Sequence, residues 1–188
     1  MGKTFSKTKL TLLPFRREFK WIEQELGLSK RTIHLWSDEF DDGKTLTTRD
    51  SPSLYWDNVP DATESFLLMV TDYDAPGPHF RILTIDHWIL TNIGKDIHQL
   101  EHAISIEEMS AMGISFGDGF REEIKPGMYL PPRPIFGTHK YYFRIFALDC
   151  SIPLNLVEKE DILKYIDHHV LSYGEIVGTY NLKLAEVQ

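Results

Sequence analysis

The pattern of apolar and polar residues predicts a chain built mainly from β-strands. From Ile33 onward, short apolar or alternating runs are bounded by turn-forming residues such as Gly, Pro, Asn and Asp. Regular short strands joined by long loops are typical of an antiparallel β-sandwich, so we expect a mainly β fold with a few peripheral helices. The predicted strands are residues 45–48, 54–56, 65–71, 81–93, 141–148 and 174–180.

Two stretches outside this β pattern predict helices. Ser105, with Glu108 three residues later, resembles a capping box and predicts a short helix that ends near Met112. Between residues 158 and 173, apolar residues recur at helical spacing. Gly174 then allows this second helix to end.

One stretch combines a strand pattern with acidic and imidazole groups. The apolar run 66–70 predicts a buried strand and leads into Asp72 and Asp74. Residues two apart on an extended chain point to the same side, so both carboxylates are expected on one face. Residues 75–78, Ala-Pro-Gly-Pro, are expected to break the strand, and the next strand contains His87. We therefore predict a polar pocket at these strand ends; a solvated Asp72 and a turn-forming Asp74 are the alternative.

The segment 113–137 is the least regular part of the chain. It is rich in Gly and Pro, and its aromatic residues favour an ordered loop that folds over something. His139 follows directly, at the entry to the strong strand 141–148. A histidine there is well placed for a pocket rim, and the alternative is a histidine bonded to the backbone.

Charge divides the chain into two unequal parts. The whole protein has 188 residues and a net charge of -8, which argues against a nucleic-acid partner. Residues 1–31 carry eight basic and three acidic side chains, so we interpret them as a basic N-terminal extension with a short amphipathic helix. That helix is expected to pack on the domain or on a partner subunit, giving a homodimer; attachment to an anionic membrane is a weaker alternative. Residues 25–33 imitate a helix-turn-helix, which we interpret as coincidental, and residues 32–188 form the predicted β domain.

Cysteine usage and hydropathy bear on location. Cys150 is the only cysteine, so no intrachain disulfide is possible. No apolar run approaches the ~20 residues that a membrane-spanning helix needs, and no secretory leader is evident. We expect a cytoplasmic protein. His168 and His169 fall in the second predicted helix and are interpreted as surface and core-edge residues rather than ligands.

Several motifs occur together, in a fixed order, over about residues 33–182. They are Ser51-Pro52-x-Leu54-x-Trp56, Val59-Pro60, Asp72-x-Asp74-Ala75-Pro76, His87-Trp88, Phe116-Gly117, His139-Lys140-Tyr141 and Gly178-Thr179-Tyr180. In this combination the chain resembles the phosphatidylethanolamine-binding proteins, the group that includes Raf kinase inhibitor protein, and especially their prokaryotic branch.

The resemblance implies a large antiparallel sheet with a smaller one, and a pocket that takes small anions and phosphate headgroups. It implies as partners a phosphate-bearing small molecule or phospholipid headgroup, and also a kinase or protease that the protein regulates or inhibits. No cofactor or metal is implied. Carried over residue by residue, the ligand-binding residues are Asp72, Asp74, Pro76, His87, His139 and Tyr141.

The chain departs from the family pattern at several positions. Tyr73 stands between the aspartates where Pro is usual, and Ile85 stands where an aromatic lid is often found. Ile114 replaces a loop Asn, and Lys140 replaces Arg, which keeps the charge but loses the planar fork. These departures bear on ligand size and affinity.

Two classes of function fit such a pocket. The first is a binding or regulatory module, in which the aspartates hold both histidines charged, so that anion binding weakens as pH rises. The second is a hydrolase or metal-dependent enzyme that uses the Asp and His side chains as acid, base or ligands. We favour binding, because no obvious nucleophile accompanies the motif.

Overall fold

The computed structural model describes residues 27–119 and 125–181. A 3-10 turn at Leu28–Lys30 precedes the regular elements of this part of the chain. The strands are β1 (His34–Trp36), β2 (Leu54–Asp57), β3 (Ser65–Gly77), β4 (Phe80–Gly94), β5 (Gln99–Leu100), β6 (Ser115–Phe116), β7 (His139–Leu148) and β8 (Val170–Tyr180). The helices are α1 (Ile106–Ala111) and α2 (Lys159–Ile166).

The described strands form two antiparallel sheets. The small sheet has the order β1-β2-β5, and the large sheet has the order β6-β4-β3-β7-β8. The mainly β architecture with a large and a small sheet and few helices is therefore confirmed.

The central strand β3 is apolar throughout its first half because both of its faces are covered. Phe66, Leu68 and Val70 pack in a core shared with Leu54 and Trp56 of the small sheet. Leu67 and Met69 point the other way, into a second core with Ile162 and Ile166 of α2. This double burial explains the continuous apolar run, where a half-exposed strand would alternate.

The first strand prediction that needs correction concerns the end of β3. The strand does not break at residues 75–78 but continues to Gly77, still paired with β4. Register shifts between Asp72 and Ala75 and between Ala75 and Pro76 absorb the irregular sequence. Proline is tolerated at such irregularities because no regular ladder bond is required of its nitrogen.

Two further predictions were wrong: that residues 45–48 form a strand, and that the second helix reaches residue 173. Residues 45–48 do not form a strand; Thr45 makes only an isolated bridge to Thr179. The helix predicted for residues 158–173 ends at Ile166, and β8 already begins at Val170. Pairing of β8 with β7 along the edge of the large sheet overrides the helical spacing of its first residues.

The predicted capping box of α1 is confirmed. The side chain of Ser105 accepts a hydrogen bond from the backbone N–H of Glu108 at 3.1 Å. In return, Oε2 of Glu108 accepts from the backbone N–H of Ser105 at 2.8 Å. These bonds satisfy backbone donors that a helix start leaves without partners.

The predicted boundary near residue 31 lies at the edge of the described chain. Residues 1–26, and with them most of the basic extension and its helix, lie outside the described residues. In the helix-turn-helix imitation, the second helix is replaced by the short turn at residues 28–30, and β1 follows at His34. Within the described ranges, no helix is long and apolar enough to cross a membrane.

Candidate functional site

The pairing of β3 with its neighbours brings the predicted site residues together. Asp72 on β3 lies opposite Tyr141 on β7 and opposite Ile85 on β4. The ring of His87 on β4 packs edge-on against the ring of Tyr141, with centroids 5.0 Å apart. Three central strands therefore place Asp72, His87, His139 and Tyr141 around one point.

Asp72 and His139 form a buried ion pair at this point. The Nδ1–H of His139 donates to Oδ2 of Asp72 at 2.7 Å, and each side chain is only 2% exposed. The opposite ring nitrogen, Nε2, donates to the backbone carbonyl of Phe136 at 3.2 Å. Since both acceptors are oxygens, both ring nitrogens carry a proton and His139 is an imidazolium.

The charge on His139 is held by its surroundings. Burial alone would lower the pKa of His139, but the hydrogen bond and negative charge of Asp72 outweigh it, and Asp74 and the Phe136 carbonyl act in the same direction. The net effect raises the pKa of His139 above its ordinary value. The aspartate charge is thus neutralised inside the site.

His87 behaves in the opposite way. Its Nδ1–H donates to the backbone carbonyl of Leu130 at 2.6 Å, and the backbone N–H of Leu130 donates to the carbonyl of His87 at 2.8 Å. Burial lowers the pKa of His87, the positive charge of His139 adds to the effect, and the Leu130 carbonyl and Asp72 oppose it. The neutral ring therefore presents an unprotonated Nε2, which is buried and has no partner among residues 27–119 and 125–181.

Tyr141 supplies a second buried polar atom without a partner. Its hydroxyl lies among the described residues with no hydrogen-bond partner, and the residue is fully buried. Burial raises the pKa of Tyr141, and the charge of Asp72 raises it further. The hydroxyl stays protonated at neutral pH and can donate.

Asp74 has a different role from the one expected. Its Oδ2 accepts from the backbone N–H of Lys140 at 2.9 Å, and its Oδ1 pairs with Nε of Arg81 at 2.8 Å. The expectation that both aspartates bond the histidines is therefore wrong: Asp72 bonds His139, while His87 is held by a loop carbonyl. The backbone N–H of Asp74 also donates to Oδ1 of Asp72 at 2.7 Å, which fixes that carboxylate in place.

Pro76, the remaining predicted site residue on β3, lines a cavity. This cavity of about 590 Å³ lies between the β3–β4 turn (76–80) and residues 136–138. Phe136, whose carbonyl accepts from His139, also lines it and is largely exposed. Phe136 thus links this apolar cavity to His139, although Asp72, His87, His139 and Tyr141 do not themselves line it.

The family of this chain is decided by its sequence match. A family model described as phosphatidylethanolamine-binding protein matches residues 36–181. The chain belongs to the phosphatidylethanolamine-binding protein family.

Relatives support this membership. A protein named UPF0098 protein from Methanothermobacter thermautotrophicus is 34% identical over 131 residues, covering 69% of this chain and 82% of the relative. A UPF0098 protein from Aquifex aeolicus is 33% identical over 143 residues, covering 74% of this chain and 76% of the relative. The chain is therefore similar to archaeal and bacterial members, as expected for the prokaryotic branch.

Solved structures share the fold. A structure titled as a homologue of the phosphatidylethanolamine-binding proteins, from Chlamydia trachomatis, has a TM-score of 0.69 at 28% identity and covers 80% of this chain and 98% of that one. YbcL from E. coli has a TM-score of 0.68 at 23% identity, covering 81% of this chain and 99% of that one. At 23% identity, the similarity to YbcL supports a shared fold and nothing more.

The departures from the family pattern have structural explanations in part. Tyr73 does not enter the pocket; its hydroxyl accepts from Nη1 of Arg144 at 2.5 Å, and Arg144 also bonds Glu175. Lys140 is exposed and reaches the site only through its backbone. Ile114 is buried in the sandwich core.

Sequence reasoning missed the loop contribution to the site. Leu130 orients His87 and Phe136 accepts from His139, in both cases through backbone carbonyls that no side-chain pattern reveals. Like that of Tyr141, the hydroxyl of Tyr129 is buried and has no partner among the described residues. The unusual length and aromatic content of segment 113–137 were the available signal that this loop helps to form a site.

Proposed function

We propose that this member of the phosphatidylethanolamine-binding protein family binds a small molecule that carries a phosphate group. Asp72, Asp74, Pro76, His87, His139 and Tyr141 form the proposed site. The observation that carries the proposal is two buried polar atoms, Nε2 of His87 and the hydroxyl of Tyr141, which have no partner in the described part of the chain. Each such atom costs about 1–3 kcal/mol when left unsatisfied, so two at one place favour a ligand that supplies both partners.

The two atoms need different hydrogen-bonding partners, one a donor and the other an acceptor. Nε2 of neutral His87 accepts a hydrogen bond, and the hydroxyl of Tyr141 can donate one. A hydrogen phosphate group carries both a P–OH donor and anionic P–O acceptors. A phosphate headgroup with an adjacent ammonium offers the same combination. At neutral pH sulfate offers hydrogen-bond acceptors but no donor, so it fits the site less well than hydrogen phosphate does.

The charges of the site tolerate an anion. The charge of Asp72 is neutralised by His139 at 2.7 Å, and that of Asp74 by Arg81 at 2.8 Å. The two aspartates therefore orient donors rather than repel the ligand.

The cavity beside Pro76 favours a ligand larger than the free anion. Its lining includes Pro76, Pro78, Phe80 and Phe136, which suit an apolar substituent on the phosphate. A phospholipid headgroup and a smaller phosphate ester are both consistent with this shape. Binding would place the phosphate inside and the substituent at the exposed opening.

The proposed function is tested by calorimetric titration of the purified full chain. Inorganic phosphate, phosphoethanolamine and sulfate are compared at neutral pH, followed by a soluble short-chain phosphatidylethanolamine. We expect binding of the phosphate ligands, weaker binding of sulfate, and at least tenfold loss with Tyr141→Phe, on the scale of a lost hydrogen bond. Tyr142→Phe is the matched control, because Tyr142 packs against Tyr73 on the other face of β7. Equal affinity of Tyr141→Phe and Tyr142→Phe would contradict the proposal.

Binding is favoured over hydrolysis by how the histidines are used. Both ring nitrogens of His139 are already bonded, so that side chain is not poised to take a proton from water. Within the described ranges, the cluster of three metal-ligating side chains lies elsewhere, at Asp149, Cys150 and His169, and not at Asp72 and His139. Release of phosphate from phosphoethanolamine in the same samples, abolished by His87→Ala, would favour the hydrolase instead.

Regulation of a kinase or protease, and a homodimer formed through residues 1–31, stay predictions. They are checked by inhibition assays with the full chain and by the solution mass of the full chain against a chain lacking residues 1–31.

A further inference from the structure

A second cluster of reactive side chains lies at the opposite end of the large sheet. His139 begins β7 and Leu148 ends it, so the next residues lie about 30 Å from the phosphate site at the usual rise per residue. There, Asp149, Cys150 and His169 bring one ligand atom each within 4.8 Å of one another.

The backbone of the cluster is fixed by the sheet. Leu148 on β7 pairs with Val170 on β8, and the backbone N–H of Asp149 donates to the carbonyl of His169 at 3.1 Å. The carbonyl of Cys150 accepts from the hydroxyl of Ser65 at 2.6 Å. Two segments far apart in sequence are thus held side by side where β7 ends and β8 begins.

The side chains are oriented as well. Nδ1 of His169 lies 2.7 Å from Oδ1 of Asp149. The ring of Tyr165 stacks on His169 with centroids 5.5 Å apart, while Cys150 packs against the second core. The Asp and His side chains are 43% and 40% exposed, so the cluster is open to solvent.

We propose that Asp149, Cys150 and His169 form a binding site for a divalent zinc-class ion, with three protein ligands and one position left for water. Thiolate, imidazole and carboxylate are the three ligand types that zinc takes in proteins, and three protein ligands plus water is a common arrangement. Ligand atoms on one tetrahedral zinc ion lie about 3.3–3.8 Å apart, so adjustments of about 1 Å complete the site. This proposal does not depend on the proposed phosphate function.

The local charge favours a cation. The carboxylates of Asp149 and Glu64 lie near Cys150 and make its surroundings negative. A doubly charged ion is stabilised in such a negative potential.

The test is a Co²⁺ titration of the reduced, tag-free full chain, followed by absorption spectroscopy. Because Cys150 is the only thiol, a thiolate-to-cobalt charge-transfer band reports this site and no other. We expect the band to saturate at one equivalent, with the visible bands of tetrahedral cobalt, and Zn²⁺ to abolish it by displacement. A wild-type chain that shows no such band in excess Co²⁺ overturns the proposal.

Single-residue variants distinguish metal binding at this site from metal binding by other surface side chains. Cys150→Ser is expected to lose the band, and His169→Ala to bind Zn²⁺ about 100-fold more weakly than wild type. His168→Ala is the matched control, since His168 is adjacent, 93% exposed and close to Asp167 instead. Asp149→Ala replaces His169→Ala if the latter does not fold, as judged by thermal unfolding without metal. Equal Zn²⁺ affinity of His168→Ala and the ligand variants would refute the proposal.

Discussion

Lys159, at the start of α2, donates from Nζ to Oδ1 of Asp86 on β4 at 2.6 Å, and Lys159 is only 6% exposed. The ammonium is buried under the large sheet, and Asp86 also accepts from the hydroxyl of Thr71 at 3.2 Å. This pair fixes α2 to the strand that carries His87. Such a pair specifies a geometry more than it adds net stability.

The two partners of this pair are expected to respond unequally to mutation. Asp86→Ala leaves a buried ammonium without its carboxylate and should lower the free energy of unfolding by roughly 3 kcal/mol. Lys159→Met keeps the aliphatic packing and leaves a partly exposed carboxylate, so a smaller loss is expected. Urea unfolding of both variants and the double variant measures the coupling. A loss from Asp86→Ala no larger than that from Lys159→Met would show that the ammonium finds another partner.

The elements of the large sheet were largely predictable, because their cause is local. Five consecutive apolar residues predict β3 as a buried strand, and the capping box of Ser105 and Glu108 predicts α1. The continuation of β3 to Gly77 was not predictable, since it depends on pairing with the returning strand at Phe80 and Arg81. The sequence after residue 166 fits either a helix or a strand, and pairing with β7 makes its residues from Val170 onward a strand.

The candidate site was predictable as a set of residues but not as a network. The aspartate and histidine motifs, with the family resemblance, named the side chains that converge. Which proton each nitrogen carries depends on contacts far apart in sequence, such as His139 with Asp72 and His87 with Leu130. The pKa of His87 is lowered and that of His139 is raised, although the sequence motifs do not distinguish the two histidines.

The Asp72–His139 pair is expected to make stability depend on pH in a defined direction. The folded pKa of His139 is raised, so its contribution is complete below the unfolded value of about 6.5 and is lost as pH rises through the folded value. Asp72→Asn removes the charge but keeps an acceptor for Asp74. The loss in unfolding free energy, roughly 3 kcal/mol near pH 6, should shrink at higher pH.

A surface pair provides the control for this measurement. Asp57 lies 3.3 Å from His34, and both side chains are more than 60% exposed, at 62% and 66%. Asp57→Asn should change stability little at any pH, because solvent screens such pairs. A constant loss for Asp72→Asn across the histidine range would mean that His139 does not titrate between folded and unfolded states as inferred.

Sulfate binding is expected to depend on pH more steeply than phosphate binding. The pKa of His87 is lowered, so its Nε2 has no proton to donate to sulfate at neutral pH. As pH falls towards the lowered pKa of His87, sulfate affinity should rise by up to about tenfold per unit, until His87 is fully protonated. Hydrogen phosphate brings its own proton and should change less. Calorimetry at several pH values measures both anions.

His87→Gln sharpens this prediction. A glutamine amide places a permanent N–H near the position of Nε2, so sulfate binding should lose most of its pH dependence. Wild-type affinities for sulfate and phosphate that are equal at neutral pH would exclude a neutral, accepting His87.

Two glycines of the large sheet are expected to differ in their tolerance of a methyl group. A Cβ at Gly174 on β8 would lie 2.8 Å from the carbonyl oxygen of Ile33, a backbone atom that cannot move without shifting the approach to β1. Gly174→Ala should therefore cost about 1–3 kcal/mol in unfolding free energy. At Gly94, also in a strand, the nearest atom to an added Cβ is the side chain of Ile97 at 3.6 Å, an ordinary contact. Gly94→Ala should be close to neutral in the same urea titration. A comparable loss from both variants would show that the close approach of residue 33 is not what makes Gly174 necessary.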